Sequence, residues 1–120
     1  MVSNDLSLES RRAILAPGAL PPARVEYVVR MDLEGEGGEL SLMYVPDRFT
    51  IDQQALSEYV AIVDGMNLPT ELKAITILED LVNELVCRWI RVSLNLGGKT
   101  VVLEDRQPGW RNDELLARLP

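Results

Sequence analysis

The chain contains no histidine. That absence removes Ser-His-Asp and Cys-His catalysis together with the commonest zinc ligand. Cysteine is nearly missing as well. Cys87 stands alone, so no internal disulfide forms, and a reducing compartment is compatible with that. Cations are in deficit, 12 Lys and Arg against 19 Asp and Glu, for a formal charge of −7. A nucleic-acid backbone is therefore not the expected partner, because phosphate binding needs clustered Lys and Arg. No apolar run approaches the ~20 residues of a membrane span. The opening Met1-Val2-Ser3-Asn4-Asp5 has neither a basic start nor a long apolar segment. No signal peptide is expected, and a cytoplasmic location follows as the default.

What is present suffices for a core: 47% hydrophobic residues over 120, the length of one domain. The longest apolar stripe lies between Thr70 and Val86. Leu72, Ile75, Leu78, Leu81, Val82, Leu85 and Val86 recur at steps of three and four, the spacing of one helix face. Lys73, Thr76, Glu79, Asp80, Asn83 and Glu84 fill the opposite face, so these acids read as a solvated surface. Pro69-Thr70 marks the start. The Thr70 hydroxyl is expected to take up an orphan amide there, with Glu71 at the positive end of the helix dipole. Arg88-Trp89-Ile90-Arg91-Val92 follows with almost no loop, as a strand.

Around this helix the rest of the chain falls into order. Residues 1–22 are expected to form an arm. Leu6, Leu8 and the run Ser10 to Leu15 suggest a short helix, broken by Pro17-Gly18 and Pro21-Pro22. Such an arm lies along the domain, reaches a neighbouring subunit, or is a mobile tail. From Ala23 the period becomes two: Val25, Tyr27, Val29, Met31 and Leu33 alternate with Arg24, Glu26, Val28, Arg30 and Asp32. The glycine-rich Glu34–Gly38 turns the chain into a second strand through Leu40, Leu42 and Tyr44, stopped by Pro46. Thr50 with Gln53 matches a capping box for a helix burying Leu56, Tyr59, Val60 and Val63, with Gly65 as its stop. After the long helix, Ile90, Val92, Leu94 and Leu96 form one strand, and Gly97-Gly98 turns it into another over Thr100–Glu104. The tail, 107–120, holds Pro108-Gly109 and a last helix from Asp113 to Leu119 capped by Asn112.

The order strand-strand-helix-helix-strand-strand implies an α+β layer pair over residues 23–106. A four-stranded antiparallel sheet carries two helices on one face. Val28, Met43, Val45 and Val102 point by parity to the other face, left for the tails or a second subunit to cover.

That order, ββααββ, resembles the tunnelling fold, whose units associate side by side into barrels with ligand sites between subunits. More specifically the chain resembles the nitrile reductase family of queuosine biosynthesis, which reduces 7-cyano-7-deazaguanine with NADPH. The likeness spans roughly residues 24–106. It lies in Tyr44-Val45-Pro46-Asp47, Leu56 with Tyr59, Glu71, Asp80-Leu81-Val82, Arg88-Trp89, Val92 and Gly97-Gly98. The resemblance implies a homo-oligomer in which Glu71 anchors a purine-like base. It also implies a nucleophilic cysteine in the loop between the first two strands, and that loop, Glu34–Gly38, has none. The positions matching the family's NADPH-associated glutamate and two lysines are Asp52, Gln54 and Ser57, and its histidine is Thr70. No catalytic residue and no cofactor are therefore expected.

What remains is a non-catalytic homo-oligomeric binding or structural protein, with a possible purine, deazapurine or pterin pocket between subunits. The alternative is an enzyme on 7-cyano-7-deazaguanine or a related purine-like substrate, helped by a partner chain or different chemistry. Glu71 is the one ligand residue expected, against the plain alternative of a helix-dipole acid in solvent. Cys87, at the end of an apolar helix, reads as a buried inert thiol. Arg88, Trp89 and Arg91 read as strand packing with a stacked guanidinium. Gly35, Gly37 and Gly38 open no helix and are no dinucleotide fingerprint, and the acids show no metal-ligand spacing.

Overall fold

The computed structural model describes residues 7–119. Residues 1–6 of the expected arm, Leu6 among them, and Pro120 lie outside it. Ten elements follow one another: α1 (Leu8–Ala13), β1 (Gly18–Ala19), β2 (Val29–Gly35), β3 (Gly38–Val45), β4 (Phe49–Thr50), α2 (Gln53–Asp64), α3 (Thr70–Leu85), β5 (Trp89–Leu96), β6 (Lys99–Arg106) and α4 (Asp113–Leu116). The main sheet is antiparallel in the order β2-β3-β5-β6. A second, two-stranded sheet that the sequence did not announce joins β1 to β4.

The expected hairpins form. Gly35 pairs with Gly38, leaving a two-residue turn at Glu36-Gly37. Leu96 pairs with Lys99 around Gly97 and Gly98, both at positive φ (62° and 79°), the backbone a tight twisted hairpin requires. The first strand starts later than its alternation suggests. Pairing begins at Val29 opposite Tyr44, and Val25 is exposed, because the partner strand runs out at Pro46, which has no N–H to donate.

Both long helices lie on one face. Leu40, Leu42 and Tyr44 of β3 and Ile90, Val92 and Leu94 of β5 share one core with Leu56, Tyr59 and Val63 of α2 and Ala74, Ile77, Leu81 and Leu85 of α3. The other face is half covered by the chain's own tail. Trp110, Leu115, Leu116 and Leu119 pack on Val28, Met43, Val45 and Trp89, while Val102 stays exposed. Asn112 caps α4 as expected, accepting from the Leu115 amide at 3.1 Å, although the helix stops at Leu116.

The helix starts differ from the reading of the sequence. Asp52, not Thr50, caps α2 by accepting from the Ala55 amide at 2.7 Å. The Thr50 hydroxyl is engaged instead with the Tyr44 hydroxyl, 2.7 Å away. Thr70 is the first residue of α3 rather than its cap. Pro69 holds the cap position with no side-chain bond. At the far end Val86 turns α3 toward β5 with φ 49°, a left-handed conformation rare for a β-branched residue.

The phase of α3 is the main correction. Its buried residues are Lys73, Ala74, Ile77, Asp80, Leu81 and Leu85, whereas Leu72, Ile75 and Val86 are exposed. Asp80, placed by the sequence on a solvated surface, is 0% exposed. It accepts from Arg11 Nε at 2.7 Å and Nη2 at 2.9 Å, from Arg12 Nε at 2.8 Å, and from the Tyr59 hydroxyl. Burial works against its charge most strongly. Hydrogen bonds from Arg11, Tyr59 and Arg12 outweigh that and hold the carboxyl below its usual range. Burial, with Asp80 alongside, pushes the Tyr59 hydroxyl up. This cluster fastens α1 to the body, and Leu15 just beyond it is fully buried in the core.

Candidate functional site

Polar side chains gather at the end of the unit where both hairpin turns meet the first turn of α3. Glu71 sits there. Its side chain is 59% exposed, and Lys99, the first residue of β6, lies 3.2 Å from Glu71 Oε1. That contact, with a backbone amide of the helix start, holds the Glu71 carboxyl below its ordinary range. In a single chain Glu71 therefore lies on the surface and lines neither neighbouring cleft.

Two residues further along α3, Lys73 points inward. Its ammonium donates to the Gly37 carbonyl at 2.6 Å and pairs with the Asp64 carboxylate, its side chain only 5% exposed. The contact ties the first hairpin to α2 and α3 together. It also explains Gly37: a Cβ there would come within 2.4 Å of the Asp64 carboxylate oxygens. Beside the pair opens a cleft of about 170 Å³, floored by Leu33, Leu40, Val60 and Leu94 and edged by Ser57, Asp64 and Lys73.

Among the positions aligned with the reductase pattern, Asp52 is a helix cap, Gln54 bonds Glu58 at 3.3 Å, and Ser57 edges the cleft. Cys87 is buried. Burial first, then Asp105 and Asp47, pushes its thiol up to about 12, as its apolar flanks lead one to expect. Arg91 stacks on Trp89 with its guanidinium carbon 5.2 Å from the ring centre, as expected. Trp89 is fully buried, and its Nε1 donates to Glu104 at 2.5 Å. Arg88 is held by Asp47 at 3.1 Å and Glu26 at 3.4 Å.

Sequence reasoning put Glu71 at the start of the long helix, where it lies, and missed the inward-facing Lys73, its partner Asp64, and Asp80. Lys73 and Asp80 were assigned to the outer face because the apolar stripe read from Leu72 to Val86 was centred too far round. Leu81 and Leu85 are in the core and Leu78 and Val82 pack against it, but Leu72, Ile75 and Val86 are exposed. The available signal was the second stripe, Ala74-Ile77-Leu81-Leu85, equally regular at steps of three and four.

Strand order, register and a single helical face define an α+β unit of the tunnelling-fold type. No family model matches the sequence. Over 116 residues the chain is 28% identical to an NADPH-dependent 7-cyano-7-deazaguanine reductase of Acidithiobacillus ferrooxidans, covering 83% of this chain and 82% of that protein. A protein of the same name from a second strain matches equally. Another of that name, from Syntrophus aciditrophicus, is 31% identical over 93 residues, covering 73% of this chain and 66% of the relative. These similarities relate the chain to the 7-cyano-7-deazaguanine reductases.

Proposed function

We propose that the chain is a non-catalytic relative of these reductases. It acts as a homo-oligomeric binding unit that holds a purine-, deazapurine- or pterin-like molecule between copies, with Glu71 against the base. The observation that carries this reading is the setting of Glu71. It opens α3, which lies over β5 and β6, and β6 is an edge of the sheet with one side unpaired among the described residues. Leu72 and Ile75, 47% and 39% exposed beside it, offer apolar surface that a neighbouring copy would cover. An ionised carboxylate at such a boundary accepts two hydrogen bonds from the adjacent N–H groups of a guanine-like edge.

The absence of catalysis rests on thiol chemistry. A covalent step on a nitrile needs a thiolate, and Cys87, the single cysteine, is buried with its pKa pushed up to about 12. The first hairpin, closed to a two-residue turn, carries none.

Calorimetric titration of the full chain with 7-cyano-7-deazaguanine, guanine and neopterin tests the binding role. Heat from one of them, lost in Glu71→Ala, is the expected result. No heat from any, or equal heat from the variant, removes the site. Incubation with NADPH and the nitrile, followed by cofactor absorbance, tests the rest. Any turnover would return the chain to the enzymes, and turnover that survives Cys87→Ser would assign the chemistry to another group.

A further inference from the structure

We propose that the N-terminal helix α1 is exchanged between two copies of this chain. In the closed form α1 lies on its own body, with Arg11 and Arg12 on Asp80 and Leu15 sunk in the core. The turn that brings it there is strained. Ala16 has φ 41°, in the left-handed region that a residue with a Cβ avoids. Ala16 also precedes Pro17, whose ring drives the residue before it toward extended backbone. Two independent constraints thus oppose the single residue on which the return of α1 depends.

The hinge is short. From Gly18 onward the chain is fastened again, Gly18 and Ala19 pairing with Thr50 and Phe49. Opening is confined to Ala16-Pro17, and an extended Ala16 satisfies both constraints while carrying α1 away from its own body. The place it leaves cannot stay empty, because Asp80 is fully buried and would lose both counter-ions. A second copy offers the same arginine pair and the same leucine four residues after Arg11, so its α1 restores every bond. The reverse exchange fills the other body. Contacts are conserved, hinge strain is released twice, and association entropy opposes it, so the exchange depends on concentration. The exchanged contacts centre on Asp80 and do not use Glu71, so the inference stands whether or not the proposed function does.

Sedimentation velocity of the full chain from micromolar to millimolar concentration tests it. Assembly into a dimer that grows with concentration is expected, and because contact through the β6 edge would give assembly too, its sensitivity to the hinge is what decides. Ala16→Gly relaxes the closed turn without touching a contact, and should weaken that dimer about tenfold per hinge. Mixing Arg11→Ala/Arg12→Ala chains with Asp80→Asn chains should give a heterodimer in preference to either homodimer, since one of its two bodies then carries the native arginine–aspartate contact. No dimer at millimolar concentration, or a dimer as tight in Ala16→Gly as in the parent, overturns the proposal. If the arginine variant does not fold, Ala16→Gly decides alone.

Discussion

Replacing Asp80 by asparagine removes one negative charge from the most enclosed polar position on α3 and changes almost no volume. Asp80 is fully buried, and the side chains of Arg11 and Arg12 are only 11% and 20% exposed, so solvent does little to soften the loss. Each hydrogen bond to a charged group is worth ~1.5–3 kcal/mol, and stripping one partner from a buried ion pair costs ~3–5 kcal/mol. Asparagine keeps one acceptor oxygen but turns an NH₂ toward a guanidinium. A net loss of about 3 kcal/mol is therefore expected, out of ~5–15 kcal/mol for a domain of this size.

Urea unfolding should show a lower midpoint with an unchanged slope. Acid titration adds a signature that a mere packing defect would not. The folded pKa of Asp80 is depressed. Stability tied to its charge is thus fully present above the unfolded pKa of about 4 and is lost as pH falls through the folded value. Asp80→Asn should flatten that acid limb. A loss under about 1 kcal/mol with an unaltered acid limb would refute the reasoning, because a buried carboxylate holding two arginines could not then be removed so cheaply.

Three further outcomes are expected. Ile77→Ala should cost ~2–5 kcal/mol and Ile75→Ala ~0.5 kcal/mol in urea unfolding of the monomer; equal losses would mean that the helix faces the other way. Gly37→Ala should lower stability by ~1–3 kcal/mol by forcing Asp64 off Lys73, with no further loss in a Lys73→Met background. Cys87 should react with a thiol reagent at pH 8 only after urea is added. Its raised pKa also means that its contribution to stability, intact below the unfolded value of about 8.5, declines as pH climbs toward 12. Rapid native labelling would contradict its burial.

Much of the fold was legible because the signals were local. Alternation through Val29–Leu33, Leu40–Tyr44 and Ile90–Leu96 wrote the strands, and Gly97-Gly98 supplied the positive φ that a tight hairpin needs. The burial of Cys87 followed from its apolar flanks. Glu71 was placed at a helix start by its own neighbours. Its partner Lys99 was not legible, because 28 residues separate the two. The capping of α2 was misread for a smaller reason. Asp52 and Thr50 are both competent caps, and Thr50 was already taken by Tyr44 from another strand.

The amino-acid sequence by itself determined the ββααββ order of the main unit, both of its hairpins and a long helix from Thr70, since each rests on periodicity or turn chemistry within a few residues. It left the rotation of that helix open, because α3 carries two apolar stripes of equal regularity. Tertiary structure alone made the choice. Arg11, 69 residues before Asp80, and Tyr59, 21 before it, converge on that carboxylate. A buried charge is tolerable only where its counter-charges meet it, and that meeting exists only once the chain has folded.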